Sequence, residues 1–133
     1  MEKENELARL VVDAAVKVHS ALGPGLLESA YEAALAWELE RRGVLVQRQV
    51  PLAIRYGGVA IECGFRADLV VDGLLLVELK SAERIAAVHR RQVLTYVRLG
   101  RFRLGLLLNF GAAWMRDGIV RFANRLAETP REP

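Results

Sequence analysis

Between Asp68 and Lys80 the chain reads Asp-Leu-Val-Val-Asp-Gly-Leu-Leu-Leu-Val-Glu-Leu-Lys. Two uninterrupted apolar runs flank one Asp-Gly turn. Runs of this length predict buried strands, and so a sheet at the centre of the molecule. The charged residues fall only at the strand ends and the turn. Charge at the end of a buried strand is costly unless it pairs or holds a metal. Glu78 and Lys80 are two residues apart, so they project from the same face. Asp68 opens the first strand. Two carboxylates and an ammonium meeting at a strand end suit a Mg²⁺ site for phosphodiester chemistry. That ion takes one or two carboxylates and leaves its other positions to water and phosphate.

Register sets a condition on this site. If Asp72-Gly73 is a two-residue hairpin loop, Asp68 lies opposite Val77 rather than Glu78. A shared site then requires a bulge, a three-residue loop or a bend. The irregularity is expected near Val71 to Leu74, or at Asp68 itself.

The flanking sequence supplies the other layers. Glu6 to Leu22 has a helical apolar stripe of Leu7, Leu10, Val11, Ala14, Ala15, Val18 and Leu22, with Asn5 as N-cap. Gly23-Pro24-Gly25 breaks it. A second helix is expected from about Leu26 to Arg42, ending at Gly43. Val44 to Val50 and Leu52 to Tyr56 read as strands separated by Pro51, and Val59 to Glu62 as a short return strand after Gly57-Gly58. Ala82 to Leu99 reads as a helix closed by Gly100, and Leu104 to Asn109 as another buried strand. Ala112 to Met115 and Ile119 to Ala123 flank Asp117-Gly118, a hairpin signal. The tail 126–133 is expected to fray. This order predicts one α/β (α+β) domain over residues 1–133. Its mixed central sheet is flanked by helices, two of them N-terminal and one after the Glu-x-Lys strand.

Composition narrows the function. The chain of 133 residues is 53% hydrophobic and 26% charged, enough to bury a core without staples. Cys63 is its one cysteine, which excludes an intrachain disulfide; together with the lack of a signal peptide this predicts a reducing cytoplasm. No apolar run approaches a membrane span. One Cys with His19 and His89 leaves no structural zinc site. A net charge of +3 and a pI near 9.4 permit a nucleic-acid partner. Only Lys3, Lys17 and Lys80 are lysines among the 19 basic residues. In so arginine-rich a chain, a lysine at a buried strand end suggests a need for a compact amine.

The Asp68…Glu78-x-Lys80 pattern resembles the PD-(D/E)XK nuclease superfamily. Gly25-Leu26-Leu27-Glu28-Ser29-Ala30-Tyr31 is similar to the signature of the small GxxExxY family placed within it. Gly64 to Asp68, Val77 to Lys80, Gln92 to Tyr96 and Gly105 to Gly111 follow in that family's order, so the resemblance runs from about Glu6 to Phe122. It implies a restriction-endonuclease-like fold and a Mg²⁺- or Mn²⁺-dependent nuclease, a phosphodiester hydrolase. Asp68 and Glu78 would bind metal. Lys80 would act on the water or the phosphate.

The resemblance also implies that Glu28, from the early helix, assists at the metal, whereas on residue grounds it complements free amides and the helix dipole. Tyr31 lies one turn on, as core packing with its hydroxyl at the site's edge, and it and Tyr96 are expected contacts to nucleic acid. Gln92 and Tyr96 share a helix face, and their Q-x-x-x-Y spacing resembles the RecB-like branch, where the glutamine points to the site. His89 and Arg91 could touch phosphate, in a cluster with Arg84, Arg90, Arg98, Arg101 and Arg103 that is otherwise a solvated face. His19 packs or caps the first helix. The implied partner is nucleic acid, DNA ahead of RNA, and a homodimer would suit a duplex or branched substrate. The alternative is a catalytically silent nucleic-acid-binding or oligomeric assembly module on the same fold.

Overall fold

A computed structural model describes residues 1–125; the expected frayed tail lies outside them. Two helices come first, α1 (Glu2–Leu22) and α2 (Glu28–Arg41). Strands β1 (Val46–Tyr56), β2 (Val59–Val71) and β3 (Leu75–Lys80) follow, then α3 (Ala87–Leu99), β4 (Leu104–Asn109), a short 3-10 turn (Met115–Gly118) and β5 (Ile119–Ala123). The five strands form one sheet in chain order. Only β3 and β4 are parallel, with α3 connecting them; every other neighbouring pair is antiparallel. This is the expected mixed sheet between helices.

The buried strands divide their side chains between two cores. Leu75, Val77 and Leu79 of β3 pack with Leu7, Val11, Val18, Leu35 and Leu39 of α1 and α2. Leu76 packs with Val93 and Val97 of α3, together with Val70 and Leu107. Strands covered on both faces cannot alternate apolar with polar, which is why the Leu/Val runs are continuous. Each such side chain stabilises the fold by about 2 kcal/mol.

Several boundaries differ from the sequence expectation. α1 starts before Asn5, whose side chain accepts instead from Arg121. The acids Glu2 and Glu4 in its first turn complement the helix dipole. Pro51 does not divide β1: it lies on the sheet's edge strand, where a missing N–H is tolerated, in register with Arg66. The expected short return strand is part of a 13-residue β2. α3 begins at Ala87 rather than Ala82. Residues 112–115 form no strand, and β5 pairs with β4 rather than across Asp117-Gly118. Among the described residues no helix is long and apolar enough to cross a membrane.

Candidate metal and nucleic-acid site

The register condition is met in two places. The β2–β3 pairing is Leu69 with Val77, Val70 with Leu76 and Val71 with Leu75. The loop is therefore the three residues Asp72-Gly73-Leu74, with Asp72 and Gly73 both at positive φ, 51° and 67°. The Asp72 side chain accepts the Leu45 amide at 2.8 Å, and the Leu45 carbonyl accepts the Asp72 amide, which fixes the loop. One extra residue shifts the register by one and sets Asp68 opposite Glu78.

The second irregularity is at Asp68 itself. Ala67 packs in the α3-side core, whereas Leu69, two residues on, packs in the α1/α2-side core. A regular strand would put both on one face. β1 turns over at the same level: Val46 joins one core, Val50 and Leu52 the other. Between the pairs Arg48–Leu69 and Val50–Ala67, Gln49 and Asp68 are unpaired, and Gln49 has φ +50°. The hairpin bends where the site is built.

At that bend the carboxylates replace the ladder. The Asp68 amide donates to Glu78 Oε1 at 2.9 Å, and the Leu79 amide donates to Asp68 Oδ2 at 2.8 Å. Each acid thus satisfies a backbone donor on the other strand. By alternation from Leu76, Glu78 and Lys80 belong to the α3 side. Burial, first, and then the neighbouring Asp68 carboxylate raise the Glu78 carboxyl to about 8. The Asp68 amide and the Lys80 charge oppose that rise. Lys80 makes no ion pair with Glu78 or Asp68 among the described residues, and Asp68 makes none with Arg66. Two crowded carboxylates lacking an ion-paired cation are a fitting donor set for a divalent ion.

The C-terminal ends of β3 and β4 are clamped beside the site. The buried Asn109 side chain accepts the Ala82 and Gly111 amides, each at 3.0 Å, and donates to the Ala82 carbonyl at 2.9 Å. A Cβ at Gly111 would lie 2.2 Å from the Ala82 carbonyl oxygen, so only glycine fits there. Ser81 donates to the Leu26 carbonyl at 2.6 Å, which ties the loop before α2 to the end of β3.

The remaining predicted residues divide. Glu28 is exposed on the first turn of α2 and makes no hydrogen bond or ion pair among the described residues. Among them, no group of three or more His, Cys, Asp or Glu side chains is arranged to hold a metal, so Glu28 does not join Asp68 and Glu78 in this structure. The acid that α2 sends toward β1 and Asp68 is Glu32, one turn later and 7% exposed. Arg48 donates to its Oε2 through two nitrogens, at 3.1 and 3.0 Å, and Gln49 donates to its Oε1 at 2.5 Å. Gln49 also donates to Asp68 Oδ1 at 3.3 Å.

Sequence reading missed Glu32, Arg48 and Gln49. The available signal was the 3.6-residue period, which puts Glu32 on the same stripe as the core residues Leu35 and Leu39.

Tyr31 is a correction. It is fully buried, stacks on Phe110 at 4.5 Å, donates to the Gly23 carbonyl at 2.5 Å and accepts the Leu26 amide at 3.1 Å. It pins the Gly23–Leu26 loop and offers no surface to nucleic acid. His89 caps α3, its Nδ1 accepting the Ala86 amide at 3.2 Å. Gln92 donates to the Tyr96 hydroxyl at 2.8 Å, and Tyr96 stacks on Phe65 at 4.2 Å. Arg91 is exposed. His19 is buried and bonds the Ala112 carbonyl through Nε2 at 2.8 Å, a packing role.

The profile of the PD-(D/E)XK nuclease superfamily matches residues 5–122. The chain belongs to this superfamily. Superfamily members are nuclease-type proteins that generally use divalent metal ions. No curated protein and no solved structure matches the chain significantly.

Proposed function

We propose that this protein is a metal-dependent nuclease that hydrolyses phosphodiester bonds of nucleic acid, with DNA ahead of RNA. The observation that carries the reading is the pairing of Asp68 with Glu78 at the bend, with Lys80 following on the Glu78 face. Asp68 and Glu78 would hold Mg²⁺ or Mn²⁺. When bound, such an ion supplies an acidified water and neutralises charge developing on the phosphate. Glu78 must first lose its proton, and a neighbouring cation favours that loss. Lys80 stabilises negative charge on the phosphate or orients the attacking water. Gln92, Tyr96, His89 and Arg91 of α3 are proposed contacts to the nucleic acid. Glu28, at the tethered loop, is a proposed further acid that comes into play only with substrate and ion present. A cytoplasmic homodimer completes the reading.

The test is cleavage of labelled single-stranded, duplex and branched DNA, and of RNA, with Mn²⁺ or Mg²⁺. Glu78→Ala and Lys80→Ala are each expected to lose at least about a hundredfold in rate with the fold intact. Cleavage that survives in both would place the chemistry elsewhere. Salt-dependent binding without cleavage by any protein would favour a silent nucleic-acid-binding module.

A further inference from the structure

Asp68 is held from two sides. The Leu79 amide fixes Oδ2 and the Gln49 amide fixes Oδ1. Gln49 is itself fixed, because the same nitrogen donates to Glu32 Oε1. Glu32 in turn is buried on α2, with its other oxygen held by Arg48. A chain of side-chain hydrogen bonds therefore runs from α2 to one carboxylate of the site. Gln49 occupies its place in left-handed backbone, φ +50°, within an edge strand. A glutamine is disfavoured there, and such conformations persist where the surroundings enforce them. The turnover of β1 at this residue puts its side chain between Glu32 and Asp68.

We propose that Gln49, anchored by Glu32, is a positioning residue that aims the Asp68 carboxylate at the divalent ion. The proposal rests on the metal-dependent reading above and adds residues outside the Asp, Glu, Lys set. An amide suits the task because its NH₂ group donates two hydrogen bonds at once, one to each carboxylate, and adds no net charge. A lysine there would compete with the ion as a cation. A glutamate would repel both acids.

The test uses the full chain and Mn²⁺ alone as the probe. Gln49→Gly removes the amide and suits positive φ, and Gln49→Asn tolerates that φ but is one methylene too short to bridge. Both are expected to unfold at or near the wild-type temperature without metal, and to bind Mn²⁺ about tenfold more weakly by calorimetry. Cleavage at saturating Mn²⁺ should recover to near the wild-type rate, with the half-saturating Mn²⁺ concentration raised. Glu32→Ala should shift Mn²⁺ binding in the same direction. Wild-type Mn²⁺ affinity in either Gln49 variant would overturn the positioning role while leaving the metal reading intact. Equal absence of Mn²⁺ binding in wild type and Glu78→Ala would overturn the metal reading, and this proposal with it.

Discussion

Glu38 of α2 and Glu78 of β3 are almost equally hidden from solvent, 4% and 5% exposed, but Glu78 lies deep in the protein and Glu38 near its surface. Glu38 receives the Lys17 ammonium at 2.6 Å and has Arg42 at 3.8 Å. The Lys17 hydrogen bond holds its carboxyl below the ordinary carboxylate range, against the opposing effect of burial. Glu78 faces a second acid and a backbone amide, and its carboxyl rises to about 8. Burial is the first cause of the Glu78 rise and the acid beside it adds to that rise, whereas at Glu38 the lysine outweighs what burial there is. An acid crowded by another acid is the arrangement that a cation relieves.

The largest effect that would test this contrast is on cleavage. Glu78→Gln should abolish it, by at least about a hundredfold, whereas Glu38→Gln should leave it within about threefold of wild type, since no other acid of the site is disturbed. The two substitutions should move stability in opposite directions. In the metal-free fold Glu78 binds its proton more tightly than in the unfolded chain. The native state therefore holds more protons between about pH 4.5 and about pH 8, and stability falls as pH rises through that window. Glu78→Gln removes this loss. Its unfolding temperature at pH 8 should exceed wild type by several degrees, on the order of 1 kcal/mol or more, and the gap should close near pH 4.5.

Proton release sharpens the comparison next. Mn²⁺ binding to wild type at pH 7 should expel about one proton, read from calorimetry in buffers of different ionisation heat. At pH 9 the release should vanish, because Glu78 is already ionised. A release that persists at pH 9 would remove Glu78 as its source.

Lys17→Met probes the paired acid. Glu38 contributes stability above its unfolded value of about 4.5, and that contribution is lost as pH falls through its lowered folded value. The variant should therefore melt below wild type at pH 7 and converge with it in acid, by circular dichroism at both pH values. Arg42 remains as a second partner at 3.8 Å, which limits the loss.

The smallest effect is expected at Glu32, the intermediate case. Arg48 is half-exposed, so Arg48→Ala should cost about 1 kcal/mol or less in urea unfolding. Mn²⁺ affinity should stay within about threefold, since the Gln49 bridge to Asp68 survives.

Much of the fold was legible in the residues. The apolar runs Leu69–Val71, Leu75–Val77 and Leu104–Leu108 had to be strands covered on both faces, and the helical stripe of α1 had to cover one of them. The pairing of Asp68 with Glu78 was legible as a condition: the acids could share a site only through an irregularity, and both a three-residue loop and a bend at Asp68 are present. Less legible were features set by partners distant in sequence. Residues 82–86 carry helical composition, yet the Asn109 clamp holds Ala82 out of α3. Tyr31 reads as core packing from its spacing, but its partner Phe110 lies 79 positions away, and the Gly23 and Leu26 groups that take up its hydroxyl could not be read in advance.

The sequence by itself determined which runs could be buried and that Gly57-Gly58 and Asp72-Gly73 were turns, whereas Asp68, expected to open its strand, lies within the longer β2; periodicity, turn chemistry and desolvation cost are local properties. Only the tertiary structure decided that Glu32 rather than Glu28 points inward from α2, that Gln49 takes a left-handed conformation to join it to Asp68, and that Glu78 lies beside an acid while Glu38 lies beside a lysine. Those outcomes depend on which groups from distant segments share a small volume, and electrostatic and hydrogen-bond energies are set by that proximity.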